Sequence, residues 1–95
     1  MMKEKIIEIL KSRGYNDYSA SLVSKELLEL SGPLAKLFNS WVENENNQSD
    51  YRVGDYSVSS LQKERGMNYP AALLTLDWLM KEPEKAIKSL TKGRR

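Results

Sequence analysis

Apolar residues recur along most of this chain at intervals of three and four, the spacing that places them on one face of an α-helix. The clearest such stripe consists of Leu34, Leu37, Phe38, Trp41 and Val42. Between Ala71 and Met80 the residues are apolar on nearly every side of a helix, which is typical of a helix surrounded by others. The pattern predicts an all-α fold of five or six short helices, with the 34–42 helix packed on a central 71–80 helix.

Glycine, proline and short polar residues predict where the helices of the first half begin and end. The first helix should end at Gly14, because glycine readily adopts the left-handed conformation that closes a helix. Asp17 or Ser19 is expected to cap a second helix that runs to Leu30. Pro33 then suits the first turn of a third helix, where its missing N–H is not needed.

The second half opens with a segment, Tyr51 to Val58, in which apolar and polar residues alternate loosely. A short extended piece interrupted at Gly54 is therefore expected there. Ser57 should cap a short helix that ends at Gly66, and Asn68 should cap the next one. Both boundaries follow from ordinary capping chemistry.

Pro83 begins the last predicted helix, because proline is favoured in the first turn. The side chains expected to pack inward are Ala86, Ile87 and Leu90. The lysines expected to face solvent are Lys85, Lys88 and Lys92. Residues 92–95 should form a frayed basic tail.

The length and composition of the chain predict one globular domain. Its 95 residues, 40% hydrophobic and 29% charged, are ordinary for a folded protein. A polar loop at about residues 43–50 divides the sequence into two helical halves. Since a half of about 45 residues would not readily bury a stable core, we expect a single domain over residues 1–95 rather than two domains and a linker.

Charge and the missing residue types narrow the possible functions. The net charge of +2 is too small to attract nucleic acid or anionic lipid over the whole surface. With no cysteine and no histidine, the chain has neither a thiolate nor an imidazole for catalysis or metal binding. We therefore expect a non-enzymatic protein without a metal or cofactor. No apolar run is long enough for a membrane span, which favours a cytoplasmic protein.

The sharpest local pattern lies between Val58 and Leu76. A short helix, a glycine turn at Gly66, the capping residue Asn68 and a second apolar helix together resemble a helix-turn-helix unit. The resemblance covers about a quarter of the chain and implies that the second helix enters the major groove of DNA. That helix offers only Thr75, Asp77 and Lys81 to base edges, and one of these is an acid. We interpret the unit primarily as a packing arrangement.

If nucleic acid is bound, the contacts should come from the turn and from the basic last helix. The candidate residues are Lys63, Arg65, Asn68, Lys85, Lys88 and Lys92, with Tyr69 beside them. The charge order of the last helix has an alternative explanation, because acid at the N-terminus and base at the C-terminus complement the helix dipole.

Three tyrosines form a candidate partner surface, namely Tyr51, Tyr56 and Tyr69. A tyrosine ring with a hydrated hydroxyl serves either as a lid on the core or as an anchor in an interface. Trp78, like Phe38 and Trp41, is expected in the core because it belongs to an apolar helical pattern.

The leading hypothesis is a small helical protein-interaction or regulatory accessory protein, which binds an unknown protein partner or acts as a homodimer. The alternative is a small helix-turn-helix nucleic-acid-binding protein. The two differ in what the exposed side of the 69–81 helix should carry.

Overall fold

A computed structural model describes residues 2–44 and 50–92 of the chain. Contacts within the chain divide it into two compact units, Met1–Ser49 and Asp50–Arg95, and each is described by itself. Most of the polar loop predicted at 43–50, and the end of the basic tail predicted at 92–95, lie outside the described residues. The single domain over residues 1–95 stays a prediction.

The first unit contains three helices that all contact one another. They are α1 (Met2–Ser12), α2 (Asp17–Leu28) and α3 (Gly32–Glu43). As predicted, the chain turns at Gly14, where φ is +102°, and the N–H of Tyr15 donates to the carbonyl of Leu10 at 3.1 Å. Pro33 lies in the first turn of α3, also as predicted.

The start of α2 corrects the sequence prediction. Its N-cap is Asn16, whose Oδ1 accepts a hydrogen bond from the N–H of Ser19 at 2.7 Å. Asp17 and Ser19, the residues predicted to cap, both lie inside the helix. Asn16 is as good a cap as either of them, so the sequence alone did not distinguish the three positions.

The buried apolar side chains of the first unit come from all three helices and from Leu30, between α2 and α3. They are Ile6, Ile9, Leu10, Ala20, Leu27, Leu30, Leu34, Phe38, Trp41 and Val42. Trp41 is completely buried, and its ring centroid lies 6.3 Å from that of Phe38. The 34–42 stripe therefore faces a core, as its spacing predicts.

The second unit combines a small hairpin with three helices. Its elements are β1 (Arg52–Val53), β2 (Tyr56–Ser57), α4 (Val58–Arg65), α5 (Tyr69–Lys81) and α6 (Pro83–Lys92). The two strands are antiparallel and pair Val53 with Tyr56, which realises the predicted extended piece. Helix α5 contacts both strands, α4 and α6, so within this unit it is central, as predicted. In the described ranges, six helices and a single hairpin of two two-residue strands confirm the all-α class.

Both ends of α4 lie where capping chemistry predicts them. Ser57 and Ser60 form a capping box in which each hydroxyl accepts from the other residue's backbone N–H, at 3.2 Å and 2.9 Å. The helix ends at Gly66, which has a φ of +68°. Asp50, at the start of the unit, is bonded to the first turn of α4. Its carboxylate accepts hydrogen bonds from the N–H and hydroxyl of Ser59, each at 3.1 Å.

The core of the second unit is built around one side of α5. The buried apolar side chains are Val58, Leu61, Tyr69, Pro70, Ala72, Leu73, Leu76, Leu79, Ala86 and Leu90. Two predicted core residues are exposed instead: Trp78 retains 36% of its surface and Ile87 retains 45%. An apolar helix in a unit this small has more apolar surface than its neighbours cover. Ile87 lies one residue beyond buried Ala86, so it falls about 100° around the helix from it.

Candidate functional site

A groove of about 320 Å³ lies between α6 and the hairpin of the second unit. Pro83, Ile87 and Thr91 form its α6 wall, since residues four apart lie on the same side of a helix. The opposite wall is the hairpin turn, residues 53–56, and Leu79 of α5 also lines the space. The volume is at the lower end of the range for ligand pockets, which suits side chains of a polypeptide better than a large cofactor.

Hydrogen bonds hold the hairpin wall in place. Gly54, with a φ of +62°, lets the chain reverse between the paired residues Val53 and Tyr56. At the base of the hairpin, the N–H of Val58 donates to the carbonyl of Tyr51 at 2.9 Å. The groove is therefore formed by elements with their own backbone pairing, and it is available before any ligand arrives.

The groove is mainly apolar and carries one acid at its edge. The hydroxyl of Thr91 donates to the carbonyl of Ile87 at 2.9 Å and so is used within α6. The carboxylate of Asp55, in the hairpin turn, is exposed. The groove therefore suits a ligand that has an apolar side chain and, next to it, a positive charge that can approach Asp55.

The three predicted tyrosines have different environments. Tyr56 lines the groove and is half-buried, and Tyr51 is half-buried just before β1. Tyr69 is only 2% exposed, and burial raises the pKa of its hydroxyl to about 12. Tyr69 is therefore a core residue, and its place in the predicted partner surface is corrected.

A second surface is the exposed face of α5, which we define as Ala71, Leu74, Trp78 and Lys81. Successive members are three or four residues apart, so they lie on one side of the helix. Ala71 and Leu74 are half-buried, whereas Trp78 and Lys81 are exposed. This is the side on which a recognition helix would carry polar groups for base edges, and here it carries mainly apolar ones.

The polar groups next to this face are bonded within the chain. The hydroxyl of Thr75 donates to the carbonyl of Ala71 at 2.8 Å. The Nζ of Lys81 lies 3.0 Å from the carboxylate of Asp77, whose side chain is only 15% exposed. The Thr75 hydroxyl and Oδ2 of Asp77 are therefore already engaged within the chain.

Trp78 is held by a short chain of side-chain bonds. Its Nε1 donates to Oε1 of Glu82 at 3.1 Å, and the Nζ of Lys85 donates to Oε2 of the same carboxylate at 3.2 Å. The Lys85 bond first, and then the Trp78 bond, hold the pKa of Glu82 below its ordinary value. The exposed indole therefore has a preferred orientation.

The candidate nucleic-acid contacts differ in their exposure and in their bonding within the chain. Asn68 is the N-cap of α5, where its Oδ1 accepts from the N–H of Ala71 at 3.1 Å, and Lys85 is paired with Glu82. The exposed candidates are Lys63, Lys88 and Lys92, and Arg65 is half-buried. Helix α4, the turn at Gly66 and α5 occur in the predicted order, as a packed pair of helices.

Sequence reasoning identified Tyr56 but missed the rest of the groove. Ile87 was assigned to the core because the spacing of apolar residues in the last helix does not distinguish the centre of an apolar face from its edge. Nothing in the sequence around Leu79 or Thr91 indicated that these residues line a groove. Gly54 was the one usable sign, since it marked the turn that forms the hairpin wall.

Within residues 2–44 and 50–92, no three carboxylates come together in a way that could hold a metal ion. In the same ranges no helix has the length and apolar character needed to cross a bilayer.

Comparisons with protein-family models, with curated proteins and with solved structures found no match to this chain.

Proposed function

We propose that this chain is a small helical protein-interaction module that binds a segment of a partner polypeptide in the groove between α6 and the hairpin. The observation that carries the proposal is Ile87, an aliphatic side chain that is 45% exposed on the wall of a preformed groove. Exposed apolar side chains that line a concavity are typical of binding sites.

The character of the groove favours a particular kind of segment. Val53, Leu79 and Ile87 offer apolar contact, and Asp55 offers a negative charge at the edge. We therefore expect a segment with a bulky apolar residue adjacent to a lysine or arginine. Tyr56, half-buried beside the groove, would contribute ring contact at low entropic cost.

A binding role rather than catalysis is supported by composition, since the chain has no histidine or cysteine. Nucleic-acid binding is less well supported. The exposed face of α5 is mainly apolar, and Asp77 and Thr75 next to it are already bonded within the chain.

The proposal is tested with a photoreactive amino acid placed at Asp55, at the edge of the groove. The control position is Glu64, an exposed residue of α4. In extracts of cells that express the protein, position 55 should form a specific adduct that Ile87→Asp abolishes, and position 64 should not. The cross-linked segment, made as a peptide, should then bind the purified protein and lose affinity with Tyr56→Ala.

Two outcomes would overturn the proposal. One is an adduct that forms equally from positions 55 and 64, or that survives Ile87→Asp in a protein whose circular dichroism is unchanged. The other is duplex DNA binding near micromolar at physiological salt that is lost when Lys63 and Arg65 are both changed to Ala. That second result would support the helix-turn-helix alternative.

A further inference from the structure

We propose that Glu82 is a positioning residue for the groove: its carboxylate fixes the angle at which α6 leaves α5, and this angle sets the width of the groove. The proposal rests on the binding function proposed above, because it concerns the same groove. The geometry that it predicts belongs to the unbound chain, so it can be measured without a partner.

The backbone of Glu82 joins the two helices. Glu82 is the only residue between Lys81, the last residue of α5, and Pro83, the first residue of α6, and its φ of −135° and ψ of 70° are not helical. Its N–H donates to the carbonyl of Trp78 at 2.7 Å, and its carbonyl accepts from the N–H of Ala86 at 3.0 Å. Residues at the ends of elements are the usual positions of hinges, because a change in φ and ψ there reorients a whole element. The angle between α5 and α6 is therefore decided at Glu82.

The side chain of Glu82 also joins the two helices. Its Oε1 accepts from Nε1 of Trp78, on the last turn of α5, and its Oε2 accepts from Nζ of Lys85, in the first turn of α6. Hydrogen bonds to a carboxylate are stronger than those between neutral groups, and they depend on direction. Two such bonds from one side chain restrict rotation at the residue that separates the helices.

The groove wall on α6 begins directly after Glu82. Its residues are Pro83, Ile87 and Thr91, and the opposite wall belongs to the hairpin. Thr91 lies about 12 Å along the helix from Pro83, so a rotation of about 10° at Glu82 moves Thr91 by about 2 Å. A small change at Glu82 therefore alters the width of the groove, most of all at its far end.

The packing of α6 on α5 is apolar and restricts the angle less sharply. The buried side chains of α6 are Ala86 and Leu90, and α5 is the element on which this helix mainly packs. Apolar burial is not directional, so these two side chains hold α6 close to α5 but tolerate a small rotation. The Glu82 side chain is 50% exposed, and its bonds add little to the unfolding free energy. A small energy is nevertheless sufficient to select one among neighbouring angles that bury the same apolar surface.

The first experiment measures the position of α6 in the purified chain. Because the chain has no cysteine, spin labels can be attached at two chosen places, here Glu64→Cys on α4 and Lys88→Cys on α6, both exposed. Double electron–electron resonance gives the distribution of distances between the labels. We expect Glu82→Ala to widen this distribution or to move its maximum by at least about 1 Å, as a rotation of about 10° requires.

The matched control is Glu84→Ala, which removes the same charge from the first turn of α6 but none of the bonds that Glu82 makes. It should leave the distance distribution unchanged. Glu82→Gln keeps an oxygen for the indole of Trp78 and loses the charge that attracts Lys85, so its distribution should lie between those of wild type and Glu82→Ala. A general loss of structure is excluded by unchanged circular dichroism and urea unfolding. Identical distributions for wild type and Glu82→Ala, or equal changes in Glu82→Ala and Glu84→Ala, would show that the carboxylate does not set the angle.

The second experiment connects the angle to binding. The peptide identified by cross-linking at position 55 should bind Glu82→Ala at least about threefold more weakly than wild type, because the binding-competent width is populated for a smaller share of the time. Equal affinities would refute the role of Glu82 while the proposed function stands. If no peptide is identified but the distance distribution changes as expected, the proposed function fails and the effect of Glu82 on the angle stands.

Discussion

Helices α3 and α5 each carry a tryptophan in an apolar helical pattern, and the two side chains have opposite environments. Trp41 of α3 is completely buried against Phe38, whereas Trp78 of α5 is 36% exposed and bonded to Glu82. Helix α3 has one apolar stripe, so its buried side is evident from the pattern. Helix α5 is apolar nearly all round, and its neighbours cover only part of it. A helix can thus be central to its unit and still offer an apolar face to a partner.

The largest expected effect separates the two tryptophans. Trp41→Ala should cost about 3–5 kcal/mol of unfolding free energy, because it removes a fully buried ring and leaves a cavity. Trp78→Ala should cost less, about 1–2 kcal/mol, because 36% of the side chain is already exposed. Both are measured by urea unfolding at low protein concentration, where self-association does not contribute. Similar losses for the two variants would remove the distinction between the helices.

The next effect tests which side of α5 is covered. Leu76 is completely buried and Leu74 is half-buried on the exposed face. Leu76→Ala should lower the unfolding free energy by about 2–5 kcal/mol, and Leu74→Ala by less than about 2 kcal/mol. If Leu74→Ala lowers the unfolding free energy as much as Leu76→Ala does, the neighbouring elements cover both sides of α5 and the exposed face does not exist.

A smaller effect compares how the two helices begin. Asn68 caps α5 through a side-chain bond to Ala71, whereas within the described residues the Ser31 side chain makes no such bond at the start of α3. Asn68→Ala should therefore cost about 0.5–2 kcal/mol, and Ser31→Ala close to nothing. Thermal unfolding followed by circular dichroism measures both. Equal losses would mean that the Ser31 hydroxyl also caps its helix in solution.

The smallest effect is the response of Trp78 to acid. The bonds from Lys85 and Trp78 hold the pKa of Glu82 below the ordinary pKa of a glutamate. Their contribution to the stability of the folded state is therefore complete when the pH is above that ordinary pKa. It is lost as the pH falls below the ordinary pKa of a glutamate and through the lowered folded-state pKa of Glu82. Trp78 emission, taken as the difference between wild type and Trp78→Phe, should change in that range. Glu82→Gln should abolish the change, and a transition that persists in this variant would assign it to another group.

The local boundaries of most elements follow from the sequence alone. Ser57 determines where α4 begins, Gly66 where it ends and Asn68 where α5 begins, because capping bonds and left-handed glycine conformations depend on residues within one turn. The same holds for the turn at Gly14 and for Pro33 in α3. The start of α2 differed only because Asn16, Asp17 and Ser19, which lie within four positions of one another, can all act as caps.

The candidate surfaces depend on the tertiary structure, for a physical reason that Trp78, Ile87 and Tyr69 make plain. All three are large side chains in or beside apolar helices, yet the first two are exposed and the third is 2% exposed. Periodicity determines which residues share a helix face, because that is a property of 3.6 residues per turn. Which face is covered depends on how much surface the neighbouring elements supply and where they lie. Only the packing of α4, α6 and the hairpin around α5 decides that.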